Sequence, residues 1–229
     1  MHYITDPECI AKYNRLYQPS IMFSFDILPY IKIAEFDINE FILTDDETPY
    51  YFYYLLEGSA KLYLTHPNGR VSLINFIHAP CFIGEMELIG AQSTSNSVKS
   101  ISRCLCYEID IKPIRHQLLQ DSVFLLKLSR FLATKAIENT SNYSRNQIYP
   151  LENRLALYII QTSHNGVYTE KHTEASEFLG VTYRHFLFVL ADFVKHGLLQ
   201  KSPTGYKIIS EEKLMAIAHR SLVLNNDRN

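Results

Sequence analysis

The chain of 229 residues has no tryptophan, only eight glycines and only four cysteines. No glycine-rich phosphate loop, HExxH motif or Ser-His-Asp ordering occurs in it. There is no His-x-His pair either, and His66 and His78 stand twelve residues apart, which excludes the metal site of a jelly-roll enzyme. An enzyme is therefore not expected. Cys9, Cys81, Cys104 and Cys106 form no Cys-x-x-Cys pair, so the usual iron–sulfur spacings are missing. No apolar run approaches the roughly 20 residues of a membrane helix. The opening Met-His-Tyr-Ile-Thr-Asp-Pro-Glu also lacks the basic-then-apolar layout of a secretory signal. These absences lead to the expectation of a cytoplasmic protein without membrane contact, its cysteines buried and reduced.

What is present is apolar and aromatic. Hydrophobic residues make up 47% of the chain, with 16 Tyr and 13 Phe, enough for two cores of ordinary size. Charge is unevenly divided. Residues 1–149 carry 13 Lys and Arg against 16 Asp and Glu, whereas residues 150–229 carry 9 against 8 and five of the nine histidines. The asymmetry runs in the direction that a nucleic-acid-binding C-terminal half requires, and its small size calls for a dimer.

Two hydrophobic periods divide the chain. Residues 1–24 read as a helical or irregular lead-in, and from Ile27 to Ile109 short β segments are punctuated by turns. Strands are expected at Tyr50–Leu56, Ala60–Leu64, Val71–Phe76, Cys81–Ile83, Val98–Ile101 and Cys104–Ile109, with Pro67-Asn68-Gly69 as a hairpin turn. Such spacing predicts a sandwich or jelly roll. From Asp121 the period changes: Phe124, Leu125, Leu128, Phe131, Leu132, Ala136 and Ile137 recur at helical spacing, with Asp121 or Ser122 as cap. This helix carries apolar residues on more than one side. It is expected to pack on its own β-domain and on a twin from a second subunit, or else to be simply buried. Tyr149-Pro150 breaks the pattern as a hinge would, and Leu151–Ser163 is a further amphipathic helix.

Residues 173–193 then read as two short helices around Gly180. Ala175, Phe178 and Leu179 share a face of the first, Gly180 supplies a positive φ, and Thr182 caps the second. Phe186, Val189, Leu190 and Phe193 make the second helix's apolar stripe, which leaves Tyr183, Arg184 and His185 where recognition residues meet base edges. Phe188 is either with them or a packing residue. Gly197 ends the helix. Leu198–Lys201 and Tyr206–Ile209 follow as strands around Ser202-Pro203-Thr204-Gly205, a wing with Lys201, Thr204 and Lys207 placed to touch phosphate.

A β-roll, a long helix, a hinge and a winged helix in this order resemble the Crp/Fnr transcriptional regulators. Local motifs are similar too: Tyr53-Tyr54-Leu55-Leu56-Glu57-Gly58-Ser59-Ala60-Lys61-Leu62, Phe82-Ile83-Gly84-Glu85-Met86-Glu87-Leu88-Ile89 and Asn153-Arg154-Leu155-Ala156. Residues 173–193 are similar to the helix-turn-helix of the YeiL-like branch. The resemblance spans about residues 25–210. It implies an α+β fold: an N-terminal double-stranded β-helix (a jelly-roll, cyclic-nucleotide-binding-like domain) over 1–120, a dimerisation helix over 121–147, and a winged helix-turn-helix domain over 148–229.

The resemblance also implies where function sits. Gly84, Glu85, Ser95, Asn96, Asn139 and Thr140 fall at the effector-pocket positions of the family. Cyclic-nucleotide-binding members hold the ribose through the glutamate and the phosphate through an arginine about ten residues later. Here no Lys or Arg occurs between Arg70 and Lys99, and Ser95-Asn96 occupy the arginine's place. Cyclic AMP is not expected as a ligand, since a lost arginine–phosphate contact costs about 1.5–3 kcal/mol. The iron–sulfur sensors of the family use an N-terminal cysteine cluster, so a cluster here would require Cys9, Cys81, Cys104 and Cys106 to converge. No other cofactor or metal is implied. Members with an Arg-Glu-…-Arg recognition helix read a guanine-containing half-site, and the matching positions here are Tyr183, Arg184 and Phe188. Arg184 retains the capacity for a bidentate guanine contact, while Tyr183 and His185 can bond phosphate or thymine, so a different half-site is expected. Thr173, in the first helix, completes the set of DNA-contact candidates. The implied partners are a second copy of the chain, double-stranded DNA with a two-fold-symmetric site and, as a further candidate, RNA polymerase. A redox or small-ligand sensor of the same fold with a degenerate DNA-binding domain remains the alternative.

Overall fold

The expected change of period is the main architectural division of the computed structural model, which describes residues 1–163 and 165–219. The lead-in forms β1 (His2–Tyr3) and α1 (Pro7–Tyr17), the latter capped by Asp6, whose carboxylate accepts the Cys9 N–H at 3.0 Å. Strands follow as β2 (Ile31–Phe36), β3 (Phe41–Leu43), β4 (Tyr51–Glu57), β5 (Ser59–Thr65), β6 (Val71–His78) and β7 (Cys81–Ile83). After the short helix α2 (Glu85–Leu88) come β8 (Ser97–Ser100), β9 (Cys104–Asp110) and another short helix, α3 (Arg115–Leu118). They form two antiparallel sheets ordered β1-β2-β9-β4-β7 and β3-β8-β5-β6, the sandwich that the spacing of strands and turns predicts. The β5–β6 hairpin turns at Asn68-Gly69 as expected, with Gly69 at φ +76°.

Strand alternation sorts the side chains of β9. Cys104 and Cys106 point between the sheets, joining Ala34, Phe36, Leu55, Cys81, Ala60 and Val98 in one core cluster. Leu105 and Tyr107 point the other way and pack with Ile33 and Leu56 beneath Ile10, Tyr13 and Tyr17, which cover that face from α1 or its end. The outer face of this sheet is therefore roofed by the lead-in helix.

A third cluster docks the long helix α4 (Ser122–Ile148) on the roll. Asp121 is its cap: Oδ1 accepts the N–H groups of Val123 at 2.9 Å and Phe124 at 3.2 Å, while Oδ2 accepts that of Ser24 at 2.7 Å. One buried carboxylate thus starts the helix and ties down the lead-in. Phe124, fully buried, stacks on Phe23 at 5.3 Å and meets Phe52 and Phe82 edge-on at 5.8 and 6.0 Å. Phe131 meets Phe82 edge-on further down the helix, at 5.3 Å.

Chain contacts divide the protein into two units, Met1–Ala136 and Ile137–Asn229. The division falls inside α4 rather than at the expected junctions beside residues 120 and 147, because the first turns of the helix belong to the roll's own core.

The second unit continues from the distal part of α4 through α5 (Leu151–Thr162), the break between them lying at Tyr149-Pro150 as expected. It adds β10 (Val167–Tyr168), α6 (His172–Phe178), α7 (Tyr183–Lys195), β11 (Leu199–Ser202), β12 (Gly205–Ile208) and α8 (Glu211–His219). The three strands pair in the order β10-β12-β11. Tyr158, Tyr168, Phe186, Val189, Leu190, Phe193, Leu199 and Leu214 are all buried in this unit.

Phe124→Ala should remove the aromatic centre of the α4 dock and destabilise the roll by about 3–5 kcal/mol. Urea unfolding followed by circular dichroism checks this; a loss below about 1 kcal/mol would show that the ring is not the anchor.

Candidate nucleic-acid interface and effector site

The helix pair at residues 172–195 is built as its sequence requires. Gly180 adopts φ +63°, and the turn closes with Gly180 N–H on the Glu177 carbonyl and Val181 N–H on that of Ser176, both at 3.0 Å. Thr182 has extended backbone, and its hydroxyl accepts the His185 N–H at 3.3 Å, so the cap is in place. Phe186, Val189, Leu190 and Phe193 are at most 2% exposed and fasten one face of α7 to the unit. Tyr183, Arg184 and His185 are exposed on its first turn, and Thr173 is exposed on the first turn of α6. Phe188 is not a packing residue: it is 71% exposed.

The wing is tighter than the sequence suggests. Ser202 pairs with Gly205, leaving Pro203-Thr204 as a two-residue tip. Gly205 is required there: at its φ of +154° an added Cβ would come 2.1 Å from the Tyr168 carbonyl oxygen. Lys201, Thr204 and Lys207 are all exposed. Register separates the lysines, however. Lys201 stands opposite Tyr206 and Lys207 opposite Gln200, so the two project from opposite faces of the hairpin.

Arg154 of α5 plays a part that its motif does not disclose. Its Nε donates to the Tyr149 carbonyl at 3.0 Å, and its Nη1 donates to the Leu179 carbonyl. One guanidinium thus binds both the hinge and the end of α6. Burial pulls its pKa below the ordinary arginine value. Beside it, Asn153 is buried and donates from Nδ2 to the Ile217 carbonyl at 2.7 Å, joining α5 to α8.

On the β-roll, Gly84 takes φ +89° and opens α2, placing Glu85 inside the protein at 3% exposure. The carboxylate is not open to a ligand's hydroxyl: Lys135 Nζ of α4 donates to its Oε1 at 2.5 Å. Lys135 is not among the site residues expected from sequence. Its signal is spacing, since Phe124, Leu128, Phe131 and Lys135 form one continuous stripe of α4, with a cation at its fourth position. Ser95 is 2% exposed, and its backbone exchanges hydrogen bonds with the 45–48 loop, donating to the Glu47 carbonyl at 2.9 Å and accepting from the Asp46 N–H at 3.1 Å. It lines an open cavity of about 560 Å³ with Thr44, Thr48, Tyr50 and Tyr51, a wall without Lys or Arg. Asn96 is half-buried. Asn139 and Thr140 are exposed on α4 and belong to the second unit.

The cysteines are not gathered for a four-thiolate cluster. Cys81, Cys104 and Cys106 share the core between the sheets, whereas Cys9 is exposed on α1, which covers the opposite face. Burial pushes the Cys81 thiol up to about 12 and the Cys106 thiol well above its ordinary value, which keeps both protonated and inert. Among the described residues no group of three or more His, Cys, Asp or Glu is placed to hold a metal ion. Nor is any described helix long and apolar enough to cross a membrane.

Comparison with known proteins gives this geometry a family. Residues 33–121 match the cyclic nucleotide-binding domain. Among solved structures, a CRP/FNR-family transcriptional regulator from Thermus thermophilus superimposes with a TM-score of 0.66 at 18% identity, covering 82% of this chain and 98% of that one. A crp/fnr-family regulator from Eubacterium rectale gives a TM-score of 0.71 at 12% identity, covering 84% and 92%. At such identities the likeness is one of fold. Regulatory protein YeiL of Escherichia coli O157:H7 is 42% identical over 196 residues, covering 86% of this chain and 90% of that protein. The chain belongs to the Crp/Fnr family. It is a Crp/Fnr-type transcriptional regulator of the YeiL kind, and not an enzyme. Its β-roll carries Glu85 with no Lys or Arg between Arg70 and Lys99, and Lys135 supplies that carboxylate with an internal cation.

Lys135→Met should destabilise the roll by about 1–3 kcal/mol by stranding the Glu85 carboxylate. The double variant Glu85→Gln, Lys135→Met should recover most of that loss. A urea-unfolding cycle over the four proteins measures the coupling, and strictly additive losses would show that the ion pair contributes nothing.

Proposed function

We propose that the chain is a homodimeric, sequence-specific DNA-binding regulator that works without cyclic AMP. The observation that carries this reading is the first turn of α7. One face of the helix is buried to 2% or less, while Tyr183, Arg184 and His185 stand in solvent on the other, beyond a working cap. A helix held so rigidly by one side presents its other side to a groove at little entropic cost. Arg184 offers the fork that matches the O6 and N7 of guanine, and the exposed Lys201, Thr204 and Lys207 supply phosphate contacts from either side of the wing.

Dimerisation is assigned to α4 (Ser122–Ile148), with the roll before it and the winged domain after it in the chain. Leu126 is 54% exposed and Ile137 67% exposed, and with the exposed Ala133 between them they repeat at intervals of seven and four. That is the seam of a two-helix coiled coil, and a twin helix is the partner of matching pattern. A two-fold dimer in turn requires a two-fold-symmetric site.

Independence from cyclic AMP rests on Glu85 and Ser95. The one carboxylate in the right place is paired with Lys135, and no arginine stands near Ser95-Asn96 in the sequence to meet a cyclic phosphate. The residues present do not fit that ligand.

The reading is tested first by selection from random duplexes with the reduced, ligand-free protein. A symmetric site should be enriched; failure to enrich any would count against the proposal. Arg184→Ala should weaken binding to that site by about 1–3 kcal/mol and relax discrimination at one base pair. Lys207→Ala should weaken all sequences alike and lower the salt slope by about one. Light scattering should find monomers for Ile137→Glu, and calorimetry with cyclic AMP should show no saturable heat.

A further inference from the structure

We propose that Phe188 reads the C5-methyl group of a thymine in the major groove, one turn along α7 from the base contact of Arg184. The inference rests on the DNA-binding reading and names a base that the recognition helix selects.

Phe188 is the most exposed large apolar side chain among the described residues, at 71%. Isolated exposed hydrophobics are ordinary on protein surfaces, so exposure alone means little. Its position gives the exposure meaning. The fold does not use the ring, because the packing of α7 is complete with Phe186, Val189, Leu190 and Phe193. Arg184, Phe188 and Ala191 lie at i, i+4 and i+7 and are all exposed, so they form one solvent-facing line that starts at the capped end of the helix.

The chemistry of that line suits base edges. The face carries a cation, an aromatic ring and a methyl group. The only carboxylate on α7 is Asp192, half-buried and 3.2 Å from His196 at the far end. A wholly apolar partner would leave the Arg184 guanidinium stranded. The major groove instead presents acceptors for the guanidinium and, at thymine alone, an apolar methyl group for a side chain such as Phe. Four residues of helix span about 6 Å, against about 3.4 Å between successive bases. The guanine and the thymine should therefore lie about two base steps apart in each half-site.

Replacing thymine by deoxyuridine removes this methyl group and leaves every hydrogen-bonding edge intact. The test takes the full-length protein and its selected symmetric duplex. Each symmetry-related pair of thymines is changed to deoxyuridine in turn, and affinity is read by fluorescence anisotropy. Burial of one methyl group corresponds to about a fourfold effect per half-site, hence roughly fifteenfold over a symmetric site. One pair of positions should show that loss. Phe188→Ala should lose a similar factor on the thymine duplex and show no further loss with deoxyuridine at that pair. It should keep its discrimination at the guanine, and circular dichroism should show an unchanged melt. Tight binding insensitive to every deoxyuridine, or a Phe188→Ala protein as sensitive as the parent, overturns the methyl contact while leaving DNA binding standing. If no duplex is bound at all, the DNA-binding reading falls and this inference falls with it.

Discussion

The rest of the structure depends on the burial of one end of one helix. Phe124 enters the roll among Phe23, Phe52 and Phe82, and the Asp121 carboxylate closes the turn behind it while holding Ser24. Aromatic pairs of this kind add about 0.5–1.5 kcal/mol each beyond the area they bury, so the dock is strong for its size. Once the first turns of α4 are fixed, the positions that follow are fixed by helical geometry. Lys135 arrives at Glu85 about three turns later, and the outward residues of the same turns form a repeating apolar line. The docked turns belong to the roll and the distal turns to the second unit, so the compact units divide within the helix.

Much of this fold is legible in the sequence because most of its elements obey one local rule each. Asn68-Gly69 can make a two-strand reversal cheaply, Gly180 can take a positive φ, and Thr182 can cap, so the hairpin and the helix pair follow from the residues themselves. The strands placed least well from sequence are those whose pattern does not alternate. β2 is buried at four consecutive residues, Ile33 to Phe36, because α1 roofs one face and the second sheet lies under the other. A two-sided strand loses the period-two signal. β1 and β3 are too short to carry any pattern.

Legibility of the site follows the same logic. Tyr183, Arg184 and His185 stand out because a cap and a stripe define the remaining face of a helix. The wing lysines are legible as residues but not as directions, since the face each takes depends on whether the loop holds two residues or four. Lys135 and Arg154 escape a sequence reading for a shared reason. Each acts on a partner distant in sequence, Glu85 in one case and the Leu179 carbonyl in the other, and only the tertiary fold brings those together. Phe188 is ambiguous because an apolar residue one position off a helical stripe looks much the same whether it packs or projects.

Arg154 has a consequence for mechanics. Its guanidinium is planar and rigid, and two of its nitrogens are committed to carbonyls far apart in the chain, at Tyr149 and Leu179. The end of the long helix and the turn before α7 are thus joined through one guanidinium. Sliding one against the other would leave a half-buried cation facing a carbonyl it no longer reaches. The bend at Tyr149-Pro150 is therefore cross-braced to the turn before α7, and the two cannot shift independently without losing one of these bonds.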